Sequence, residues 1–177
     1  MTKNLEATIP FSFDEQFINI LTKALEKNKL EAIIVGNVAA ILNGAPVLTQ
    51  DIDLLIRDTP VNRRKLRLFA AAIHGSNPEP ISELSNVERI YADVPVDIIF
   101  NHCGGTQFEA YRARARPMKN SRYVWIASLA DVIRGKEIAN RPKDKAVLPI
   151  LKDTLRVQGL VELPRRKASK PSKKHRY

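Results

Sequence analysis

Cysteine, long apolar runs and a secretory signal are scarce or missing in this sequence. The chain has one cysteine, Cys103, which cannot form an internal disulfide. Its apolar runs, such as Ala32–Val35, fall far short of the roughly 20 residues that cross a bilayer. The opening MTKNLEATIP lacks the basic start and apolar core of a signal peptide. These absences predict a cytoplasmic protein without membrane contact that folds without disulfides.

The composition is otherwise that of one globular domain. Of 177 residues, 44% are hydrophobic and 27% charged, whereas only 6% are aromatic. A chain of this length can bury roughly 70% of the surface that its unfolded form exposes. The sequence shows neither a repeat nor an internal linker, so we expect a single domain over residues 1–160 and a separate tail over 161–177.

The tail carries most of the net charge of +10. Its last fourteen residues, PRRKASKPSKKHRY, contain seven Lys or Arg and no acid, which leaves 22 basic and 19 acidic residues elsewhere. A basic segment that lacks apolar periodicity is typical of disordered tails, and such tails commonly bind nucleic acid. A merely solubilising role is the alternative.

Apolar periodicity predicts alternating helices and strands. Helices are expected over residues 13–28, 37–43, 63–74, Leu129–Ala139 and from Pro142 to about 157, where Gly159 should end the last one. Strands are expected over Ala32–Val35, Ile52–Ile56, 87–91, 94–100 and 123–126, with Ala92 and Asp93 as the turn of a hairpin. This order predicts an α/β (α+β) domain with a small mixed sheet of about 4–5 strands flanked by helices.

Two aspartates interrupt the second apolar strand. Because alternate side chains of a strand lie on opposite faces, Asp51 and Asp53 should share one face. Two neighbouring carboxylates repel each other unless a cation lies between them, and Mg²⁺ prefers oxygen ligands. Asp97 interrupts the strand VPVDIIFN in the same way. If the two strands are neighbours, the three carboxylates form a site for Mg²⁺ or Mn²⁺.

Gly36 follows the first strand and precedes a helix. Backbone N–H groups at such a turn can bind a phosphate, helped by the helix dipole. The turn lies fifteen residues before Asp51, which is close enough for one site to hold both a metal and a triphosphate. Further along, YRARARPMKNSR over residues 111–122 would present one basic face if it were extended. A solvated edge and a nucleic-acid groove are both open interpretations of this run.

These motifs together resemble the DNA polymerase β type nucleotidyltransferase superfamily. The similarity is closest to minimal nucleotidyltransferase-like proteins, including the toxins of type IV toxin–antitoxin systems, and covers residues 31–155. Its first half is carried by Gly36-Asn37, Asn43-Gly44, Thr49-Gln50-Asp51-Ile52-Asp53 and Asp97. Its second half is carried by SLADVIRGKEIANRPKD, with Lys136, Arg141, Lys143 and Asp144 at the corresponding places.

The resemblance implies a set of roles. Asp51, Asp53 and Asp97 would hold two divalent ions, Mg²⁺ or Mn²⁺. The triphosphate would contact Gly36, Asn37, Thr49, Lys136 and Arg141, with Lys136 also counted among the catalytic residues. The implied reaction transfers a nucleoside monophosphate from a nucleoside triphosphate to an acceptor. RNA such as tRNA, favoured by the basic tail, or a protein hydroxyl is the expected acceptor, and an antitoxin is the expected partner.

Two departures keep a second interpretation open. Relatives usually carry Gly or Ser where this chain has the bulkier Asn37, and many carry Arg where it has Val47. An amide can still donate a hydrogen bond to a phosphate, but the arginine's charge is lost. The alternative is therefore a catalytically inactive nucleotide- or RNA-binding module on the same fold.

Overall fold

The computed structural model describes residues 15–82, 86–100 and 108–162. The described helices are α1 (Glu15–Lys27), α2 (Gly36–Leu42), α3 (Pro60–Ala72), α4 (Phe108–Arg112), α5 (Leu129–Ala139) and α6 (Pro142–Glu162). The described strands are β1 (Ala32–Val35), β2 (Ile52–Ile56), β3 (Glu79–Pro80), β4 (Val87–Ile90), β5 (Val96–Ile99), β6 (Arg116–Pro117) and β7 (Val124–Ile126). The predicted start of the first helix at Phe13 and the basic tail beyond Glu162 lie outside the described residues.

Within the described residues the strands form one mixed sheet in the order β3-β4-β5-β2-β1-β7-β6. The α/β fold class is confirmed, but the strand count of 4–5 is too low. The five predicted strands are present, and β3 and β6 add a two-residue strand at each edge. Both additions contain proline, which cannot donate to a strand ladder and is therefore tolerated at sheet edges.

The centre of the sheet is its most apolar part. β1, with the sequence AIIV, pairs antiparallel with β2 and parallel with β7. All four residues of β1 are buried, as expected for a strand covered on both faces. The helices cover the sheet through side chains such as Leu21, Phe69 and Leu151, none of which is exposed. This rigid centre fixes the positions of the strand ends that carry the polar residues.

Local capping signals account for two helix boundaries. The Ser128 hydroxyl accepts a hydrogen bond from the backbone of Asp131, which starts α5 as its sequence predicts. Thr59 caps α3 in the same way through the backbone of Asn62. The predicted stop at Gly159 is wrong, because α6 continues to Glu162. A helix interior tolerates glycine at a cost of about 1 kcal/mol, so the residue does not by itself end a helix.

The basic run over residues 111–122 does not form one basic face. Its first residues belong to α4, and the arginines separate to different partners. Arg112 pairs with Glu31 at 2.7 Å. Arg114 pairs with the buried carboxylate of Asp131, also at 2.7 Å. These arginines stabilise the fold rather than line a groove. None of the described helices is both long and apolar enough to cross a membrane.

Candidate functional site

The register of the sheet brings the predicted carboxylates together. β2 and β5 pair in parallel with Asp53 opposite Asp97, while Val35, which precedes Gly36, lies opposite Asp53 on the other side. Cross-strand neighbours share a face of the sheet. The intervening Ile52 is buried at 4% exposure on the other face. The predicted alternation of Asp51, Ile52 and Asp53 is therefore the arrangement found.

These side chains line one cleft of about 670 Å³. Every residue to which the sequence assigned a role borders it: Gly36, Asn37, Thr49, Asp51, Asp53, Asp97, Lys136 and Arg141. The sheet contributes one wall of the cleft, and α5 and α6 contribute the other. The structure thus places all of the predicted site residues in one concave surface, while their chemical roles stay predictions.

Gly36 adopts a conformation that only glycine fits at this place. Its φ is +63°, in the left-handed region. A Cβ on Gly36 would overlap Oδ2 of Asp53 and lie 2.9 Å from its Cγ. The absence of a side chain therefore lets the carboxylate of Asp53 lie directly against the backbone of the turn.

Asp53 is the most electrostatically strained group in the cleft. Burial, followed by the negative charges of Asp51 and Asp97, raises the pKa of Asp53 to about 7, although the positive charges of Lys136 and Lys143 act in the opposite direction. The described residues supply no ion pair to its carboxylate. Asp53 is thus a carboxylate whose charge the surrounding protein leaves largely uncompensated.

Arg89 is a site residue that the sequence analysis missed. It lies opposite Asp97 in the antiparallel β4–β5 pair. Its Nε donates to Oδ1 of Asp97 at 2.6 Å and its Nη2 to Oδ2 at 2.8 Å. Nη2 also lies 3.5 Å from Oδ2 of Asp51. Arg89 therefore brings into the cleft a positive charge that the chain lacks at Val47, a residue buried in the core.

Thr49 and Asn37 have different immediate partners from those that the resemblance implies. The Thr49 hydroxyl donates to Asp51, with its backbone carbonyl at 3.0 Å and Oδ1 at 3.1 Å. Asn37 donates through Nδ2 to the carbonyl of Leu48 at 3.0 Å. The Oδ1 of Asn37 is buried and accepts no hydrogen bond from the described residues. Thr49 thus orients Asp51. The Asn37 amide, which was expected to donate to a phosphate, instead donates to the backbone at Leu48.

The motif shared by α5 and α6 forms a buried charge cluster. Asp144 is fully buried, and accepts from Lys136 Nζ at 3.2 Å and from Arg141 Nε at 2.7 Å. Burial alone would raise the pKa of Asp144, but the hydrogen bonds and charges of Arg141 and Lys136 together lower it below its usual range. Asp144 therefore stays ionised and holds both cations at the wall of the cleft. The sequence motif included Asp144 but predicted no role for it.

The donor chemistry of the carboxylate trio fits a divalent ion. All three side chains offer oxygen ligands, which Mg²⁺ and Mn²⁺ accept, and no side chain in the described ranges forms an ion pair with Asp53. In the described part of the chain, however, no three His, Cys, Asp or Glu side chains are gathered closely enough to hold a metal. In place of a metal, the Arg89 guanidinium forms hydrogen bonds with Asp97 and lies near Asp51. Asp51, Asp53 and Asp97 are the residues that would hold the ion.

Solved structures with the same architecture were found, although no protein-family model and no curated protein matches the sequence. The antibiotic-resistance factor ANT(2″)-Ia, solved with adenylyl-2″-tobramycin, is 17% identical with a TM-score of 0.55 over 82% of this chain and 91% of that chain. A proposed nucleotidyltransferase from Thermotoga maritima is 16% identical with a TM-score of 0.53 over 83% of this chain and 92% of that one. The chain therefore has a nucleotidyltransferase-like fold.

Proposed function

We propose that this protein is a metal-dependent nucleotidyltransferase, which transfers a nucleoside monophosphate from a nucleoside triphosphate to a hydroxyl acceptor. The observation that supports the proposal is the convergence of Asp51, Asp53 and Asp97 with Lys136 in one cleft beside the Gly36 turn. A fold alone hosts many functions, so it is this site, rather than the fold, that supports the proposed activity. The similar ANT(2″)-Ia, which was solved with an adenylylated product, is consistent with the same class of reaction.

In the proposed reaction, the acceptor oxygen forms a bond to the α-phosphorus. The bond from that phosphorus to the bridging oxygen of the β-phosphate breaks, pyrophosphate leaves, and the hydroxyl proton passes to water. Bound Mg²⁺ or Mn²⁺ would supply Lewis-acid stabilisation of the phosphate charge. Asp51, Asp53 and Asp97 would hold the metal, and the Thr49 hydroxyl fixes the orientation of Asp51.

The positive charge for the triphosphate comes mainly from the helical wall. α2 is only seven residues long, so its dipole adds little to the Gly36 turn. Lys136 and Arg141 are held at the cleft by Asp144, with the Lys136 side chain 12% exposed. A lysine in this position binds a phosphate as a point charge. The backbone of Gly36 and Asn37 completes the proposed triphosphate contact.

RNA, such as a tRNA end, is the proposed acceptor, with a protein hydroxyl as the next candidate. Support comes from the basic tail, which would bind phosphates of the RNA backbone. Removing residues 164–177 should weaken RNA binding and reduce its salt dependence. By resemblance, the proposal extends to a cytoplasmic toxin neutralised by an antitoxin partner. Growth arrest on induced expression, abolished by Asp53→Asn, would support that role.

A second candidate is a nucleotide- or RNA-binding module that does not catalyse transfer. It is favoured by the engagement of Asn37 with the Leu48 carbonyl and by Arg89 bound to Asp97. Incubation with each α-³²P-labelled nucleoside triphosphate, Mg²⁺ or Mn²⁺, and RNA, protein or aminoglycoside acceptors separates the two. Label transferred by the wild type and not by Asp51→Asn supports the enzyme. Binding without transfer to any acceptor supports the module.

A further inference from the structure

The guanidinium of Arg89 occupies the position between two of the three carboxylates. It forms two hydrogen bonds with Asp97, at 2.6 and 2.8 Å, and reaches within 3.5 Å of Asp51. The Asp97 side chain is only 10% exposed, so its charge needs a partner. A divalent ion shared by these carboxylates would occupy the space that the guanidinium now fills and would neutralise the same charges.

The remaining bonds of the cluster favour this arrangement in the absence of metal. Oδ1 of Asp51 accepts from the Thr49 hydroxyl at 3.1 Å, which leaves Oδ2 towards Arg89. Asp53, which lies on β2 two residues after Asp51, receives no ion pair from the described residues. One internal cation therefore pairs with two of the three carboxylates, and the third has only the more distant charges of Lys136 and Lys143.

The side chain of Arg89 is not fully enclosed by the protein. It is 28% exposed, and its strand, β4, lies next to the two-residue edge strand β3. A bidentate arginine and a divalent ion on the same carboxylate repel each other, because two positive charges a few ångströms apart in a partly buried site are unfavourable. Occupation of Asp97 by one cation therefore excludes the other.

We propose that Arg89 is an internal counter-ion that leaves Asp97 and Asp51 when a divalent ion binds, so that the metal affinity of the site is set by this exchange. The inference rests on the metal dependence of the proposed function. It gives Arg89 a role as a positioning residue, which keeps the two carboxylates in place while the metal is absent and releases them when the metal binds.

The test is the affinity for Mn²⁺, measured by calorimetry and by electron paramagnetic resonance with and without a non-hydrolysable ATP analogue. Arg89→Met keeps the aliphatic stem and removes the charge, so it should bind Mn²⁺ at least about tenfold more tightly than the wild type. Without metal, the variant should melt at a lower temperature, because Asp97 loses its partner. Its stabilisation by Mn²⁺ should be correspondingly larger.

Arg63→Met is the matched control. Arg63 pairs with Asp58 and Glu88 at 2.6 and 2.7 Å on the exposed surface and does not line the cleft. The Arg63→Met substitution should change the melting temperature without changing the affinity for Mn²⁺. A second measurement needs no variant: the Nε–H resonance of Arg89 should be sharp and protected in the metal-free wild type. It should move towards the exchange-broadened signal of an exposed arginine as Mg²⁺ is added.

The outcomes separate this inference from the proposed function. If the wild type binds Mn²⁺ and Arg89→Met binds it equally or more weakly, the proposed exchange is wrong. That result leaves the nucleotidyltransferase proposal intact. An Arg89 resonance that Mg²⁺ does not change also overturns it. Wild type that takes up no Mn²⁺, with or without the ATP analogue, overturns the metal dependence of the function and the exchange with it.

Discussion

The carboxylate of Asp53 lies in the space that a side chain on Gly36 would occupy. A Cβ built on Gly36 would overlap Oδ2 of Asp53 and lie 2.9 Å from its Cγ. Gly36 and Asp53, seventeen residues apart in the sequence, therefore belong to one structural unit. A change at either residue must alter the other.

Gly36→Ala should destabilise the protein and damage the site. The φ of +63° costs a residue with a Cβ about 1–2 kcal/mol, and the overlap with Asp53 adds to that. Gly44→Ala is the matched control, because Gly44 also has a positive φ of +84° but only a glutamine side-chain atom, 3.9 Å away, near its Cβ position. Chemical denaturation should show a larger loss for Gly36→Ala. Equal losses would mean that Asp53 moves away at no cost.

Asp53→Asn should leave the metal-free protein as stable as the wild type or slightly more stable. Removing one of three mutually repelling charges relieves an unfavourable interaction. The wild type should gain stability from Mn²⁺ with a nucleoside triphosphate, and the variant should lose most of that gain together with transfer activity. Thermal melts of both proteins with and without these ligands measure the effect. A metal-free variant destabilised by about 1–3 kcal/mol, beside a wild type indifferent to metal, would contradict the proposed metal site.

Lys136→Ala should weaken nucleotide binding more than it weakens the fold. Lys136 borders the cleft and pairs with Asp144, which keeps Arg141 as a second partner when the lysine is removed. Lys145→Ala is the control, because Lys145 is exposed on α6 and does not line the cleft. Titration with a fluorescent triphosphate should show a several-fold loss of affinity for Lys136→Ala only. The same affinity for both variants would restrict Lys136 to a structural role.

Asp144→Asn should destabilise the protein by about 3 kcal/mol at neutral pH, because two cations lose a buried partner. The pKa of Asp144 is lowered in the folded protein, so its charge stabilises the fold above the unfolded-state pKa of about 3.9. That contribution is lost as the pH falls through the lower folded-state value. The difference in unfolding free energy between wild type and variant should therefore shrink below about pH 4. A difference that is constant from pH 7 to pH 3 would exclude this linkage.

The sequence predicted the parts of the fold that depend on apolar pattern. All five longer strands and α5 were identified because an apolar run or a capping residue marks each of them. The edge strands β3 and β6 carry Glu, Arg and Pro and have no intrinsic strand signal. They form because a neighbouring strand offers hydrogen bonds, which a local pattern does not encode. The same applies to Gly159, which the rest of α6 keeps helical.

The convergence of the site residues was predictable, but their partners were not. A two-residue turn at Ala92 and Asp93 would place Glu88 opposite Asp97, an unfavourable pair of like charges. The actual loop covers residues 91–95, since Ile90 pairs with Val96. This shift of one residue places Arg89 opposite Asp97 and reverses which side chains face the cleft. The like-charge pair was the available signal that the shorter turn was wrong.

The parallel pairing of β1 with β7 also bears on how the protein is synthesised. Ala32, Ile33 and Ile34 pair with Val124, Trp125 and Ile126, so one edge of the most apolar strand lacks its partner until the ribosome has passed residue 126. Domains rich in such distant contacts fold slowly, and exposed apolar strand edges promote aggregation. Chains released early, by a premature stop before β7, would expose that edge permanently. Nascent-chain protection by chaperones should therefore matter most between synthesis of β2 and synthesis of β7.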